Sequence, residues 1–300
     1  MKKLTLLLGA MFIGATSLLA QTLIDGIYYE LNDDTRTASV AESLMMDYAG
    51  DIIIPTSVKY DDMTYTVTEI DQYAFAYCKI KSITLPNSIT KIGYYAFSNS
   101  SLTSISIPES MTTIGALAFS QCDKLTSVTI PNTIKTIRSN AFEYCENLTS
   151  ITIPNSVIEI GSTAFMGCYS LVSATLPDSL TKISDQLFAN CRNLTSINIP
   201  NTVTIIGKSA FDNCDGLSSI TIPNSVTNIG GGGGNGCDGL TSIVVPNSVT
   251  EIGSQAFGSC RNLTTITLSN SLTRISAGLF GNDTSLTTVI IPNSVTEIGS

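Results

Sequence analysis

The chain has 300 residues, of which 43% are hydrophobic and 13% are charged, so it can bury a sizeable core and is not expected to be disordered. Its formal charge of −9, with only 15 basic residues, argues against nucleic acid or an anionic bilayer as the main partner. Histidine is absent, which removes the commonest general base, the commonest metal ligand and every Ser/His or Cys/His nucleophile pair. The composition therefore predicts a non-enzymatic protein without a metal or other cofactor.

The N-terminus has the pattern of a secretory signal peptide, which we assign to residues 1–20. Lys2 and Lys3 precede an apolar stretch that ends in the small residue Ala20. An uncleaved anchor is the alternative, but the stretch falls short of the roughly 20 apolar residues that span a bilayer. We expect Sec export, cleavage after Ala20, a secreted or cell-surface location and no membrane insertion of the mature chain.

Residues 21–78 are predicted to form an N-terminal β cap, a hairpin insertion and the first repeat. Ile27, Tyr29 and Leu31 alternate with other residues, which is the period of a half-buried strand. Further on, apolar and polar residues alternate on both sides of Asp61, which predicts a hairpin. Such a cap would cover the unpaired strand and the open core at the end of a repeat array.

Residues 79–300 repeat a unit of 23 residues with little variation, which predicts one elongated solenoid. In the copy at residues 148–170, apolar residues alternate with Ser and Thr, so we expect a short strand with Ile151 and Ile153 facing inward. Pro154 ends that strand because it has no N–H to give to a ladder. The last copy stops at Ser300, before its Ala-Phe pair, and we expect the natural chain to continue.

Two inward columns of the repeat hold one residue type each. Phenylalanine fills the first column at Phe75, Phe97, Phe119, Phe142, Phe165, Phe188, Phe211, Phe257 and Phe280. Cysteine fills the second column at Cys78, Cys122, Cys145, Cys168, Cys191, Cys214, Cys237 and Cys260. Turns that stack about 4.8 Å apart would place like residues over like residues in ladders. The thiols are predicted to pack as small hydrophobes, with disulfides between adjacent turns and a metal site as the alternatives.

One copy departs from the pattern, because Gly230 to Gly234 replaces the stretch that elsewhere contains Ala and Phe. Loss of a buried phenylalanine side chain costs about 3 to 5 kcal/mol, and each extra glycine adds roughly 0.5 to 1 kcal/mol. The glycine run therefore predicts a hinge or a protease-sensitive point. A sequence artefact is the alternative.

The repeat, read as L-x-x-I-x-I-P-x-S-V-x-x-I-G-x-x-A-F-x-x-C, resembles that of the BspA-like leucine-rich repeat proteins, also called the Treponema pallidum type. The resemblance covers Gly50 to Ser300. It implies a repeat solenoid of the α/β leucine-rich-repeat type, with mainly β and irregular structure, 23-residue repeats and a parallel β-sheet on the concave side. It also implies an exported or surface protein, because several family members are adhesins for host matrix proteins or other microbes. It supplies no catalytic residues.

Tyrosine is concentrated near the N-terminus, since nine of the eleven tyrosines precede residue 100. Exposed tyrosine is a usual anchor of adaptable binding surfaces. We predict that Tyr60, Tyr65, Tyr94 and Tyr95 bind a partner, because they flank the hairpin or lie where other copies have small residues. The alternative is that the tyrosines only seal the open end of the solenoid.

These observations predict adhesion through an extended face, with extracellular or cell-surface proteins, including matrix proteins, as the partners. The outward Ser and Thr residues of the repeat strands are interpreted mainly as solubilising positions, because they lack the aromatic and arginine anchors of binding surfaces. The main alternative is a structural envelope or spacer protein without a specific ligand. Catalysis would require a further domain.

Overall fold

The computed structural model describes residues 21–43, 48–233 and 236–299. The predicted signal peptide lies outside these residues, as does Gly234. Within them the chain winds into a β-solenoid of stacked turns, most of which add two short parallel strands, and no helix is present. The predicted solenoid of parallel strands with 23-residue repeats is therefore confirmed, since contacts such as that between Thr103 and Thr126 join residues 23 apart.

The N-terminal cap and the start of the solenoid share one sheet. The first six strands of the chain are β1 (Thr22–Ile24), β2 (Ile27–Asn32), β3 (Thr37–Val40), β4 (Ala49–Ile53), β5 (Ser57–Tyr60) and β6 (Met63–Ile70), of which β4 belongs to another sheet. The cap sheet has the order β1-β2-β3-β6-β5, and β5 and β6 form a hairpin around Asp61 and Asp62, both of which have positive φ. The end of β6 then pairs in parallel with β8 (Lys91–Ile92), so the cap continues directly into the solenoid.

The first strand of most turns belongs to what we call the front sheet. Its strands after β4 are β7 (Lys79–Thr84), β9 (Ser104–Ser106), β11 (Ser127–Thr129), β13 (Ser150–Thr152), β15 (Ser173–Thr175), β17 (Ser196–Ile197), β20 (Ser242–Val244) and β22 (Thr265–Thr267). In β13, Ile151 is buried between the exposed Ser150 and Thr152, as the alternation predicts.

The second strand of each turn has two residues and belongs to what we call the back ladder, which the sequence did not reveal. After β8 it contains β10 (Thr113–Ile114), β12 (Thr136–Ile137), β14 (Glu159–Ile160), β16 (Lys182–Ile183), β18 (Ile205–Ile206), β19 (Asn228–Ile229), β21 (Glu251–Ile252), β23 (Arg274–Ile275) and β24 (Glu297–Ile298). Threonine hydroxyls beside it donate to carbonyl oxygens one turn earlier, as Thr227 does to Thr204 at 3.2 Å. These bonds reinforce the stacking of turns.

The phenylalanine column forms a ladder of stacked rings in the core. Neighbouring rings from Phe75 to Phe211 are nearly parallel, with centroids 5.3 Å apart at the start and 6.0 Å apart at the end. Tyr48 lies 5.0 Å from Phe75 and closes the ladder on the cap side. Beyond Phe211 the ring contacts stop, because the next phenylalanine in the column is Phe257, two turns further on.

The cysteine column lies beside this ladder, and its eight thiols are buried. The thiol of Cys122 donates to the carbonyl oxygen of Phe97 in the preceding turn at 3.0 Å, and Cys145 does the same to Phe119 at 3.2 Å. The bond repeats for Cys168, Cys191, Cys214 and Cys237. The thiols therefore link adjacent turns by S–H···O bonds in addition to filling the core.

The turn that contains the glycine run keeps its back ladder and loses part of its core. Strand β19 pairs on both sides, with β18 and with β21. A cavity of about 80 Å³ lies where a phenylalanine ring would fit, and Phe211, Leu240 and Phe257 are among its lining residues. Within the described residues the front sheet also has no strand between β17 and β20, so the back ladder alone provides strand pairing through this turn.

Candidate binding surface

Each regular turn contains a corner, residues 161–168 for example, that carries the chain from the back ladder toward the front sheet. Two corner residues four positions apart adopt the left-handed conformation, as Thr163 and Gly167 do with φ of 59° and 72°. Backbone N–H groups of Thr163, Phe165 and Gly167 donate to carbonyl oxygens of the next turn at 2.8 to 3.1 Å. The corner backbone is thus held by hydrogen bonds between turns, while Ala164 and Phe165 point inward.

Four tyrosines occupy these left-handed positions, namely Tyr73, Tyr77, Tyr95 and Tyr144, with φ between 53° and 59°. A side chain on Cβ makes this conformation cost roughly 1 to 2 kcal/mol, and a bulky residue there is an outlier. Elsewhere the same positions hold Asn, Gln, Ser, Thr and Gly in most turns. The backbone therefore gives no reason for tyrosine, and the explanation must lie in the side chains.

Three of the rings gather on the surface in what we call the tyrosine cluster, made of Tyr73, Tyr94 and Tyr95. Tyr73 stacks on Tyr95 with centroids 5.3 Å apart, and Tyr94 meets Tyr95 edge-on at 4.3 Å. Tyr94 is 45% exposed, and Tyr77 beside the cluster is 60% exposed. Rings that pack against one another lose little conformational freedom when a partner binds, which suits them to recognition.

The two tyrosines that follow residue 100 form a second aromatic group further along the solenoid. Tyr144 and Tyr169 have ring centroids 6.2 Å apart, and the guanidinium of Arg192 lies 5.4 Å from the centre of the Tyr169 ring. Gly167 makes room for this group, because a Cβ atom there would lie 2.3 Å from the Tyr144 ring. The corner face thus carries two separate aromatic groups.

The structure separates the four tyrosines predicted to bind a partner. Tyr94 and Tyr95 belong to the tyrosine cluster, and Tyr60 is exposed at the end of β5 but shares none of the ring contacts that join the cluster. Tyr65 is only 1% exposed because it faces the cap interior from β6, and its hydroxyl donates to Asp33. The prediction that Tyr65 binds a partner is therefore wrong.

Sequence reasoning also missed Tyr73 and Tyr77 as surface residues. The position of Tyr73 in the repeat could have identified it, since Tyr73 and Tyr95 occupy the same position in consecutive copies. The sealing role holds for other tyrosines: Tyr29 and Tyr48 are buried, and the Tyr48 hydroxyl accepts a hydrogen bond from the Tyr28 N–H at 2.8 Å. The tyrosines therefore divide into a buried set that closes the cap and an exposed set at the corners.

Two carboxylates lie near the aromatic groups of the corner face. Burial raises the pKa of Tyr73, and the nearby Tyr94 and Glu42 raise it further. Burial also raises the pKa of Tyr95, to which Glu143 contributes as well. Within the described residues no ion pair involves Glu42 or Glu143. The corner face is therefore both aromatic and acidic.

The front sheet offers a second and more polar surface. A shallow groove of about 720 Å³ lies over its C-terminal half, and the outward residues Thr221, Val244, Thr267 and Ile290 contribute to its lining. Ile290 is 81% exposed. The groove has no aromatic or charged side chain among its lining residues, so it has few groups that could anchor a specific partner.

The described residues contain no group of three or more acidic or cysteine side chains placed to hold a metal ion. Burial raises the pKa of Cys122 and of Cys168 to about 12, so both thiols stay protonated and act as hydrogen-bond donors. A protonated, buried thiol is a poor nucleophile.

A family model for the BspA type leucine rich repeat region matches residues 68–195 and 181–300, with six copies of the repeat. The chain belongs to the BspA-type leucine-rich repeat family. The predicted leucine-rich-repeat solenoid is confirmed by this match, and so is the resemblance on which it was based. Stacked repeats of this kind present extended surfaces suited to binding other proteins.

Solved structures of BspA-type and other leucine-rich proteins have the same fold. A leucine-rich cell surface protein from Faecalibacterium prausnitzii A2-165 is 30% identical, with a TM-score of 0.68 over 93% of this chain and 84% of that protein. A leucine-rich repeat protein from Bacteroides ovatus ATCC 8483 is 29% identical, with a TM-score of 0.61 over 93% and 90% of the two chains. The leucine-rich repeat protein of T. pallidum is also 29% identical, with a TM-score of 0.57 over 66% and 90%.

No match was found among the curated proteins. In residues 21–43, 48–233 and 236–299, no helix has the length and apolar character needed to cross a membrane.

Proposed function

We propose that this chain is an exported, cell-surface leucine-rich-repeat protein that adheres to proteins of the host matrix or of other cells. The observation that carries the proposal is the tyrosine cluster, in which Tyr73 and Tyr95 adopt a left-handed backbone and stack on each other, while Tyr73 and Tyr94 are 36% and 45% exposed. Tyrosine is enriched among the residues that dominate the energy of protein interfaces. A scaffold that only needed to stack its turns would place Asn or Gly at these positions.

The location rests on two independent supports. The first 20 residues have the order of a signal peptide, with lysines, an apolar stretch and a small residue at the end. The F. prausnitzii protein with the same fold is described as a cell surface protein. Expression in a bacterial host, followed by N-terminal sequencing of the exported protein, is expected to give Gln21 as the first residue. Retention of Met1 in the exported protein would contradict the cleavage.

A non-catalytic role agrees with the residues that are available. The chain has no histidine, and the buried thiols donate hydrogen bonds and have raised pKa values. The competing role is an envelope spacer without a specific ligand. A spacer needs no exposed aromatic cluster at a conformationally unfavourable position, which favours adhesion.

Saturable binding is the property that separates adhesion from a spacer role. The purified chain would be tested on immobilised collagen, laminin and fibronectin and on whole bacterial cells, beside the variant Tyr73→Asn/Tyr94→Ser/Tyr95→Asn. These substitutions use residues that occupy the same columns in other turns, at Asn140 and Ser139. The control Val244→Thr/Ile290→Thr alters the groove of the front sheet instead.

We expect saturable binding to at least one of these surfaces, a loss of about tenfold or more in the tyrosine variant, and no loss in the control. Absence of saturable binding on every surface would favour the spacer role. Equal loss in both variants would show that the corner face is not the specific contact.

A further inference from the structure

We propose that the tyrosine cluster recognises an arginine-rich, extended segment of its partner protein. This inference rests on the proposed function, because it names the chemistry of the partner that the same surface would bind. The ligand class follows from three features of the corner face: exposed aromatic rings, unpaired carboxylates and the way in which the chain uses its own arginines.

Arginine already lies over tyrosine at two places in the described part of the chain. The guanidinium of Arg36 is 5.8 Å from the centre of the Tyr65 ring, and that of Arg192 is 5.4 Å from the centre of the Tyr169 ring. In the first case a carboxylate completes the group. The Asp33 carboxylate lies 3.8 Å from the Arg36 guanidinium and accepts a hydrogen bond from the Tyr65 hydroxyl. Ring, guanidinium and carboxylate thus form a unit of mutually attractive groups.

The tyrosine cluster contains the rings of this unit and one nearby carboxylate, Glu42, and lacks the cation. Val40 pairs with Ile70 in parallel strands, so Glu42 and Tyr73 follow the ends of neighbouring strands, and Glu42 contributes to the raised pKa of Tyr73. Glu143 provides a second carboxylate beside Tyr144, further along the corner face. Within the described residues neither carboxylate has a basic partner, and no guanidinium lies over a ring of the cluster. An arginine from another protein would complete the arrangement that Asp33, Arg36 and Tyr65 form internally.

The arrangement continues along the corner face, which sets the length of the partner segment. Glu143 and Tyr144 lie two turns beyond Tyr95, which corresponds to about 10 Å at the strand spacing. From Tyr73 to Tyr144 the face covers three such steps, or about 14 Å. An extended chain rises about 3.3 Å per residue. A segment of roughly four to six residues with arginine at alternate positions would therefore place one guanidinium over the cluster and another near Glu143.

Arginine fits this surface better than other partner groups for a physical reason. Its planar guanidinium stacks on an aromatic face and can at the same time donate paired hydrogen bonds to a carboxylate. An acidic segment would be repelled by Glu42, Glu143 and the overall charge of −9. A purely apolar segment would leave the carboxylates without a partner when it covered them.

The test uses a fluorescein-labelled peptide of alternating arginine and serine, six residues long, and measures its binding to the purified chain by fluorescence anisotropy at two salt concentrations. The matched peptide with glutamine in place of arginine is the negative control. We expect saturable binding of the arginine peptide, weaker at higher salt, and at least tenfold weaker binding by Tyr73→Asn/Tyr94→Ser/Tyr95→Asn. The rings are retained in Tyr73→Phe/Tyr94→Phe/Tyr95→Phe, which should bind within about twofold of the unaltered chain.

A pair of charge-matched variants separates a specific contact from attraction to an acidic protein. Glu42→Gln/Glu143→Gln removes the carboxylates of the corner face and is expected to weaken binding about three- to tenfold. Glu109→Gln/Glu159→Gln removes two exposed carboxylates elsewhere and should change binding less than twofold. Equal weakening by both pairs, unchanged binding by the Asn/Ser variant, or loss of binding in the Phe variant would each overturn the proposal.

Competition links this test to the proposed function and keeps the two distinguishable. Inhibition of cell or matrix binding by the arginine peptide would support both. If tyrosine-dependent binding to cells or matrix occurs without competition by the peptide, the partner chemistry is wrong although adhesion stands. If the peptide binds through the tyrosines while no cell or matrix protein does, the arginine site stands and adhesion to those surfaces is rejected.

Discussion

The corner that carries Tyr95 and the corner that contains the glycine run lie in equivalent parts of the repeat, yet they depart from the usual backbone in opposite ways. Tyr95 is bulky and still adopts the left-handed conformation, with φ of 55°. Gly232 holds the equivalent position, could adopt that conformation without cost, and does not. Intrinsic preference therefore does not decide the shape of the corner.

The difference lies in what the two corners enclose. In the first corner Phe97 stacks between Phe75 and Phe119 at 5.3 and 5.2 Å, and the backbone must turn left-handed to place it there. In the second corner no phenylalanine is available, and a cavity of about 80 Å³ remains. The buried phenylalanine ring thus determines the backbone conformation of the corner, whichever residue occupies the outward position.

The largest effect is expected from removing a ring in the middle of the ladder. Phe142 is fully buried and stacks on Phe119 at 5.3 Å and on Phe165 at 5.5 Å. Phe142→Ala should lower the free energy of unfolding by about 3 to 5 kcal/mol and loosen its corner as in the glycine turn. Denaturant unfolding would measure the loss. A cost below about 1 kcal/mol would show that the ladder does not hold the corner.

The reverse change should repair the glycine turn. Gly233→Ala/Gly234→Phe restores the Ala-Phe pair of the other copies and fills the cavity. At roughly 24 cal/mol per Å³, filling 80 Å³ is worth about 2 kcal/mol, to which fewer glycines add roughly 0.5 to 1 kcal/mol each. We expect a gain of about 3 to 4 kcal/mol and slower proteolysis between residues 225 and 240. Unchanged cleavage there would contradict the predicted hinge.

The next effect comes from Asp283, which replaces cysteine in the thiol column. Its Oδ1 accepts the Cys260 N–H at 2.7 Å, but its buried Oδ2 has no partner, and burial raises its pKa to about 6. Since the folded-state pKa exceeds the unfolded one, the stability that this group contributes is present at low pH and is lost as pH rises through 6.

Asp283→Cys should therefore stabilise the protein by about 1 to 2 kcal/mol at pH 7.5 and much less at pH 4. Thermal unfolding of both proteins at the two pH values measures this difference. The new thiol would also be placed to donate to the carbonyl oxygen of Phe257, as other thiols do to the preceding turn. Parallel pH profiles of the two proteins would contradict the role given to Asp283.

The smallest stability effect is expected from Tyr73→Asn/Tyr94→Ser/Tyr95→Asn. Ring contacts worth about 0.5 to 1.5 kcal/mol each are lost, while two left-handed tyrosines that cost roughly 1 to 2 kcal/mol each are relieved. The two terms nearly cancel, so the free energy of unfolding should change by less than about 1 kcal/mol. A loss of several kcal/mol in denaturant unfolding would show that the tyrosine cluster is needed for the stability of the solenoid.

Period and residue type were enough to predict the inner architecture of the solenoid. Pro154 marks the end of a strand, the alternation around Ile151 gives its inward face, and the 23-residue step predicts stacking of like residues. The two-residue strands of the back ladder were missed because so short a segment has no period of its own. The left-handed positions were missed because Asn, Gln, Ser, Thr and Tyr all occupy them, so no residue type marks them.

The surface was predictable only in part, because exposure depends on which way a strand or corner faces. Tyr65 was assigned to the surface from its place beside a hairpin, although Val58, Tyr65 and Val67 point into the cap together. Tyr73 was not singled out, although its column already places it beside Tyr95. The carboxylate of Glu42 comes from a distant part of the sequence, and only the pairing of the folded strands brings it toward Tyr73.

The thiol column also makes local opening of the solenoid measurable at individual turns. Because most turns contribute one buried cysteine bonded to the turn before it, a thiol becomes reactive only when its own level of the stack separates. Brief alkylation followed by peptide mapping would therefore report opening turn by turn. Cys237, beside the glycine run and 7% exposed, should label before the fully enclosed Cys145 and Cys168.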